Sequence, residues 1–249
     1  MELFKVDNAK PVVPVNFVYS TQNELFGEKS VTGFGNFSFS VNEVDRVLAN
    51  EIIRENHYSK KIVNTASVHL SVSMDGQIVG ILQFGVAMNP RSCGSVVSGT
   101  NIDEYLELNR MWLDDIAPRN SESKAISYAV KIIRKIRPRV KWIQSFSDER
   151  CGLFGTVYQA AGFSFHGEHI GRFWELDGEW FHDQIRTNSK HFNTPAGRRL
   201  RAGIDRAISH KLRQFRYIKF MKPRFAKNCL YPSLPYPKPD YAACPEDEC

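Results

Sequence analysis

Ala66-Ser-Val-His-Leu-Ser-Val-Ser-Met74, Asp75-Gly76 and Gln77-Ile-Val-Gly-Ile-Leu-Gln-Phe84 decide the fold. Two strand-like runs flank a dipeptide whose residues both tolerate positive φ, which is the strongest short-range hairpin signal. Upstream, Ser40-Val-Asn-Glu43 reads as a capping box that opens a helix, with Val44, Val47, Leu48 and Ile52 at helical spacing through about Glu55. That helix runs out at Asn56-His57-Tyr58-Ser59. Downstream, a Gly/Ser-rich loop from Pro90 to Thr100 leads to a strand over Glu104–Leu113. A helix follows, carrying Ile126, Ala129, Ile132, Ile133 and Ile136 on one face and stopped by Pro138. A short strand over Val140–Phe146, a helix over Cys151–Ala161 closed by Gly162, and strands at Phe163–Phe165 and Arg172–Leu176 complete the order. Strands alternating with helices after an antiparallel start predict an α/β fold, a mixed, mostly antiparallel sheet flanked by helices. The expected organisation is an arm over 1–39 with one or two short strands, a folded domain over 40–180, a basic helical extension over 181–230 and a Pro-rich tail over 231–249, an extended strap or a disordered end.

The 249 residues include 33 Lys+Arg and 27 Asp+Glu, a net charge of +6. No run approaches the ~20 apolar residues of a membrane helix, and the first residues lack the pattern of a secretion signal. Five cysteines without a CxxC pair argue against a disulfide scaffold or a cysteine-built zinc site and for a reducing cytoplasm. The charge is uneven. Between Arg186 and Lys227 stand 13 basic residues and one acid, Asp205. Such a block predicts a polyanion-binding surface, with nucleic acid the first candidate and a solvated basic helix the plainer alternative. Aromatic residues alternate with the cations in Phe215-Arg-Tyr217-Ile-Lys-Phe220-Met-Lys-Pro-Arg-Phe225, where rings either stack on bases or pack on the core.

Four places carry candidate chemistry. The loop Asp114–Asn120 enters a helix directly after a strand, a natural seat for a phosphate or carboxylate, with Arg110 and Arg119 in reach. Plain capping by Asn120 or Ser121 explains the same motif. Tyr158, one turn before Gly162, is a candidate proton donor or acceptor, or a ring packed on the sheet. Asp148 follows a strand end, where open α/β sheets face their ligands, and is a candidate general base or a helix cap. His57-Tyr58 stands at a chain reversal, where an imidazole of near-neutral pKa suits a base, a metal ligand or a DNA contact. His166 and His169 point apart on a strand and are set aside as a metal pair.

Together these pieces resemble a known family. The element order and Tyr158-Gln-Ala-Ala-Gly-Phe163 are similar to the GCN5-related N-acetyltransferase (GNAT) fold. Asn56-His57-Tyr58-Ser59, Ile81-Leu-Gln-Phe84-Gly85, Glu107-Leu-Asn-Arg110, Arg119-Asn-Ser-Glu-Ser123 with Ile126-Ser127, Ser145-Phe-Ser-Asp148 and Gly155-Thr-Val-Tyr158-Gln-Ala resemble the Mom family of bacteriophage DNA-adenine modification proteins. The resemblance spans roughly residues 50–167. It implies an enzyme of the host cytoplasm that converts adenine N6 in double-stranded DNA to a carbamoylmethyl adduct, protecting phage DNA from restriction endonucleases. It places catalytic roles on Asp148, Tyr158, His57 and Tyr58, and binding of a small donor molecule on Arg110, Ser121 and Ser123.

The acyl-CoA loop of the wider superfamily follows an Arg/Gln-x-x-Gly-x-Gly/Ala pattern, whereas here the matching Ala117-Pro-Arg-Asn-Ser-Glu-Ser123 has no glycine. Acetyl-CoA is therefore not expected as the donor, or is bound differently. In the mechanism this implies, the base flips out of the duplex, Asp148 takes a proton from N6, and Tyr158 steadies the leaving group. Arg198, Arg199, Arg201, Lys211, Arg213, Arg216 and Lys219 are the expected DNA contacts, and a homodimer is a further expectation. Ligation of iron or zinc by His57 and Asp148 is an alternative role without a complete ligand set. The rival readings are an acyl-CoA-dependent N-acetyltransferase of a small amine or protein, and a catalytically inactive DNA-binding protein on the same fold.

Overall fold

The computed structural model describes residues 4–5, 38–149, 154–187 and 193–238. Most of the expected arm, and the tail beyond Lys238, lie outside the described residues. The chain divides into two compact units that interleave along the sequence. The first holds the described residues up to Ser145, with Val157–Ser164 and Ile218–Pro232. The second holds the described residues of Phe146–Thr156, Phe165–Tyr217 and the chain from Ser233.

In the first unit, β1 (Phe4–Lys5) pairs with β4 (Gln77–Gly85). The main run of strands is β2 (Phe39–Glu43), β3 (Ala66–Met74), β4, β5 (Tyr105–Leu113) and β6 (Trp142–Asp148), in that order. All pairs are antiparallel except β5 with β6. The hairpin forms as expected: Asp75 and Gly76 take φ of 48° and 79°. Asp75 Oδ1 also accepts from Ser38 N at 2.9 Å, tying the start of β2 to the turn. Nearly every residue of β3 and β4 is buried, so these are central strands covered on both faces.

Helix α1 (Arg46–Asn56) covers one face. It starts later than the capping box implied, because Ser40–Glu43 is spent on pairing with β3 and Asp45 caps instead, its Oδ1 accepting from Val47 N at 2.6 Å. The register of the apolar stripe moves accordingly: Val47 is 75% exposed, while Ala49, Ile52 and Ile53 pack on Ile78 and Ile81. Helix α2 (Ser121–Ile136) buries Ile126, Ala129, Ile132 and Ile133, as its periodicity indicated, together with Ala125, while Ile136 is half-buried. Helix α3 (Thr156–Ala160) is shorter than the expected Cys151–Ala161. Phe154 and Gly155 are not helical, 151–153 lie outside the described residues, and Gly162 ends the helix with φ of 72°.

The second unit corrects two expectations. The two short strands expected within Phe163–Leu176 are one strand, β7 (Ser164–Leu176). It turns through Asp177-Gly178, φ 52° and 76°, into a further strand, β8 (Glu179–His182). The basic segment is not mainly helical: after α4 (Gln184–Thr187) and α5 (Pro195–Ala202) comes the 13-residue strand β9 (Ile208–Phe220), which the second unit shares with the first. The reason is period: Phe215 and Tyr217 are buried on either side of half-buried Arg216, an alternation of two that suits a strand. Within this unit β9 neighbours β7. The described part of the tail makes one isolated bridge, Leu234 with Phe165. Among the described residues no helix is long and apolar enough to cross a membrane, and Cys93 and Cys229 are free thiols.

Gly85 closes β4 where the chain has no room. A Cβ there would lie 2.1 Å from Thr65 O and 2.6 Å from Ala66 Cα, backbone atoms that cannot swing aside. Gly85→Ala is expected to cost about 3 kcal/mol or more in urea unfolding, against about 0.5 or less for Gly94→Ala, whose Cβ meets nothing within 4 Å. Equal stabilities would refute the packing.

Candidate active site

Cross-strand partners share a face of a sheet. The pairs His69–Gln83, Gln83–Arg110, Gly85–Glu107 and Glu107–Gln144 therefore set one row of polar residues beside another on a single face. It is the face under α1, since Gln83 Nε2 donates to Asn50 Oδ1 on that helix at 2.9 Å. Pairing steps from Phe84–Leu108 to Gln83–Arg110, one residue on β4 against two on β5, so Asn109 is a β-bulge. Without it, Glu107 and Arg110 would point to opposite faces.

His57 sits at the C-cap of α1, its N–H donating to Ile53 O at 3.1 Å, and it is only 5% exposed. Ser59 N donates to His57 Nδ1 at 3.1 Å, and Ser59 Oγ lies 2.9 Å from the same nitrogen. A backbone N–H can only donate, so Nδ1 accepts and the neutral ring carries its proton on Nε2. Burial, and then the Arg110 guanidinium, lower the imidazole pKa from 6.5 to about 4. At neutral pH His57 is thus an uncharged hydrogen-bond donor, which of the roles open to it from sequence disfavours that of a base. Tyr58 is 67% exposed, with its ring centroid 4.3 Å from that of His57. Arg110 is fixed by backbone carbonyls: Nε donates to Lys61 O at 3.0 Å and Nη1 to Asn109 O at 2.7 Å. Beside it, the Glu107 carboxylate accepts from Gln144 Nε2 at 2.8 Å and from Asn109 Nδ2 at 3.3 Å.

The structure thus brings His57, Tyr58 and Arg110 together. Ser121 and Ser123 open α2, but their hydroxyls donate to Pro118 O and Asn120 O and so brace the entering loop. Asn120 holds the N-cap position in a left-handed conformation without a side-chain cap bond. Tyr158 lies on α3, its ring 5.9 Å from Phe163. Asp148 is the last residue of β6 and belongs to the second unit, 8% exposed. His166 and His169 both lie on the strand β7. No three His, Cys, Asp or Glu side chains gather in a metal-binding group among the described residues.

The expected DNA contacts are mostly engaged locally. Arg199 pairs with Glu179 at 2.7 Å, and Arg213 with Glu149 at 3.0 Å. Arg198 donates to Asn193 O at 2.6 Å, and Arg216 lies over the Phe146 ring. Lys219 donates to Gly162 O at 2.7 Å, capping the end of α3, while Lys211 is exposed. Arg201 stands half-buried on α5. Phe215 and Tyr217 pack in the core, so those rings do not stack on bases. Ser59, Glu107, Asn109 and Gln144 had no place among the expected site residues. Three of them stand inside the quoted motifs, but nothing in the sequence marks the bulge that gathers them.

The chain belongs to the Mom protein family, whose model matches residues 38–238. It is 47% identical over 214 residues to the methylcarbamoylase mom of Escherichia phage Mu, a match covering 85% of this chain and 88% of that protein. Among solved structures it is similar to the ribosomal-protein-S5-alanine acetyltransferase of Vibrio fischeri, at 11% identity and a TM-score of 0.44, covering 74% of this chain and 94% of that one. It is also similar to the spermidine/spermine N-acetyltransferase SpeG of Vibrio cholerae, at 8% identity and a TM-score of 0.46, covering 76% and 96%. Overlap at that level carries nothing about activity.

The His57 tautomer has a direct test. Nitrogen-detected NMR is expected to show a neutral ring protonated at Nε2 from pH 8 down to about 5, titrating near 4. Arg110→Met should raise that midpoint, since only burial then opposes the charge. The unfolded imidazole takes up its proton near 6.5 while the folded one waits until about 4, so stability should fall as pH drops through that window, by roughly 3 kcal/mol in all. A ring that titrates near 6.5 would refute this environment.

Proposed function

We propose that the protein is a transferase that places a carbamoylmethyl group on N6 of adenine in double-stranded DNA, protecting phage DNA from host restriction endonucleases in the host cytoplasm. One observation carries the reading: 47% identity, over 85% of the chain, to a phage protein named a methylcarbamoylase. The donor is a small primary amide, an acetamide whose methyl carbon carries a leaving group X. The bond from N6 to that carbon forms as the carbon–X bond breaks.

Adenine N6 is a weak nucleophile stacked inside the duplex, so the base must first be flipped out, at a cost of a few kcal/mol. Asp148 takes the N6 proton and Tyr158 donates its own to the departing X. The neutral His57 donates from Nε2 and Arg110 from its guanidinium, a pair suited to hold the donor's carbonyl oxygen. Basic residues of α5 and β9 hold the phosphates, with exposed Lys211 the most available and Lys219, committed to the end of α3, the least.

Restriction digestion tests the reading. DNA from cells expressing the wild type should resist endonucleases whose sites contain adenine. Asp148→Asn, of equal size, should slow modification by about 10²–10⁴ and leave DNA from its cells cleavable. Equal cleavage of both DNAs, with both proteins soluble, would favour the acetyltransferase alternative. Full protection by Asp148→Asn would remove Asp148 as the base.

A further inference from the structure

Glu107 accepts from two side-chain amides, and this fixes which way those amides face. A carboxylate facing a donor must meet the amino end of the amide, so Gln144 and Asn109 turn Nε2 and Nδ2 to Glu107 and their oxygens away from it. Gln144 Oε1 and Asn109 Oδ1 are both buried, and neither has a hydrogen-bond partner among the described residues. Gln144 as a whole is 4% exposed. A buried acceptor left unmatched costs about 1–3 kcal/mol, and two such atoms on amides that share one carboxylate need an explanation. In the adjoining row of the same face stands Arg110, whose guanidinium is near enough to His57 to disfavour a charge on its imidazole.

We infer that this face is a subsite for a primary carboxamide, held by its N–H groups on Gln144 Oε1 and Asn109 Oδ1 and by its oxygen on Arg110 and His57. A primary amide offers two donors and one acceptor side by side, the complement of the row. Its span, with a hydrogen bond at each end, is about 8 Å. The two rows, two residues apart along β4, are about 7 Å apart. A carboxylate presents only acceptors to two acceptor oxygens and to Glu107. An ester lacks the N–H groups. The inference rests on the proposed reaction for its biological meaning: the amide is the carboxamide end of the donor, and the row selects a carbamoylmethyl group over an acetyl group. Gln144 and Asn109 are therefore specificity-determining residues.

The test is an NMR titration of the full chain with acetamide, read on the side-chain amide signals of Gln144 and Asn109 and the Nε–H of Arg110. Saturable shifts at all three are expected, with an apparent Kd in about the millimolar range for so small a ligand. Acetate and methyl acetate should bind at least about tenfold more weakly, because each leaves the acceptors unmatched. Gln144→Met, similar in volume, should abolish the acetamide response while the rest of the spectrum holds. If that variant does not fold, the three wild-type titrations decide alone. Acetamide without effect at these signals, or acetate binding as well as acetamide, would overturn the subsite. DNA from cells expressing the wild type separates the two claims: an adduct on adenine with no acetamide response removes the subsite and leaves the reaction. Acetamide binding with unmodified DNA removes the reaction, and with it the assignment of the amide to the donor.

Discussion

The pairings of Gly85 with Glu107 and of Gln83 with Arg110 coexist on one face of the sheet because Asn109 is an extra residue in β5. A regular strand would send Glu107 and Arg110 to opposite sides, since side chains alternate with a period of two. With the bulge, a carboxylate and a guanidinium stand in adjoining rows, and the amides of Asn109 and Gln144 close on the carboxylate. Gly85 completes the arrangement by having no side chain: a Cβ there would lie 2.7 Å from Asn109 Oδ1. Helix α1 is apolar where it meets Ile78 and Ile81, reaches the polar row through Asn50 and is capped at its end by His57.

Electrostatics then set what these groups can do. Arg110 and burial together hold His57 neutral, and Ser59 holds its proton on Nε2. The ring offers a hydrogen bond without a charge, which suits an oxygen that gains negative character during reaction. It is poorly suited to take a proton from an amine. In the proposed reaction that task is given to Asp148, since His57 is kept neutral by burial and by the cation beside it. At the start of α2, Ser121 and Ser123 donate their hydroxyl protons to carbonyls of the loop that precedes them.

Local signals were legible where they alone decide the outcome. Asp75-Gly76 set the central hairpin, and the spacing of Ile126, Ala129 and Ile133 set α2. The start of α1 was misplaced because Ser40–Glu43 satisfies a capping pattern and also pairs with β3, and the long-range pairing wins. The basic segment misled in the same way. Its charge is evident, but the alternation of Phe215 and Tyr217 makes part of it a strand, and Arg199, Arg213 and Arg216 find acidic or aromatic neighbours in the fold. Most residues of the site were inside the recognisable motifs, Gln144 excepted, yet the bulge that assembles them depends on register with β4. The Asp177-Gly178 turn carried the same signal as the first hairpin and leads into a strand of only four residues.

Mass spectrometry of nucleosides from the DNA of cells expressing the protein tests the proposed alkylation of adenine most directly. The expected result is a deoxyadenosine heavier by about 57 Da, the mass gained when a carbamoylmethyl group replaces one hydrogen on a modified base, fragmenting with the added mass on the base. Only unmodified deoxyadenosine, from cells with abundant soluble protein, would contradict it.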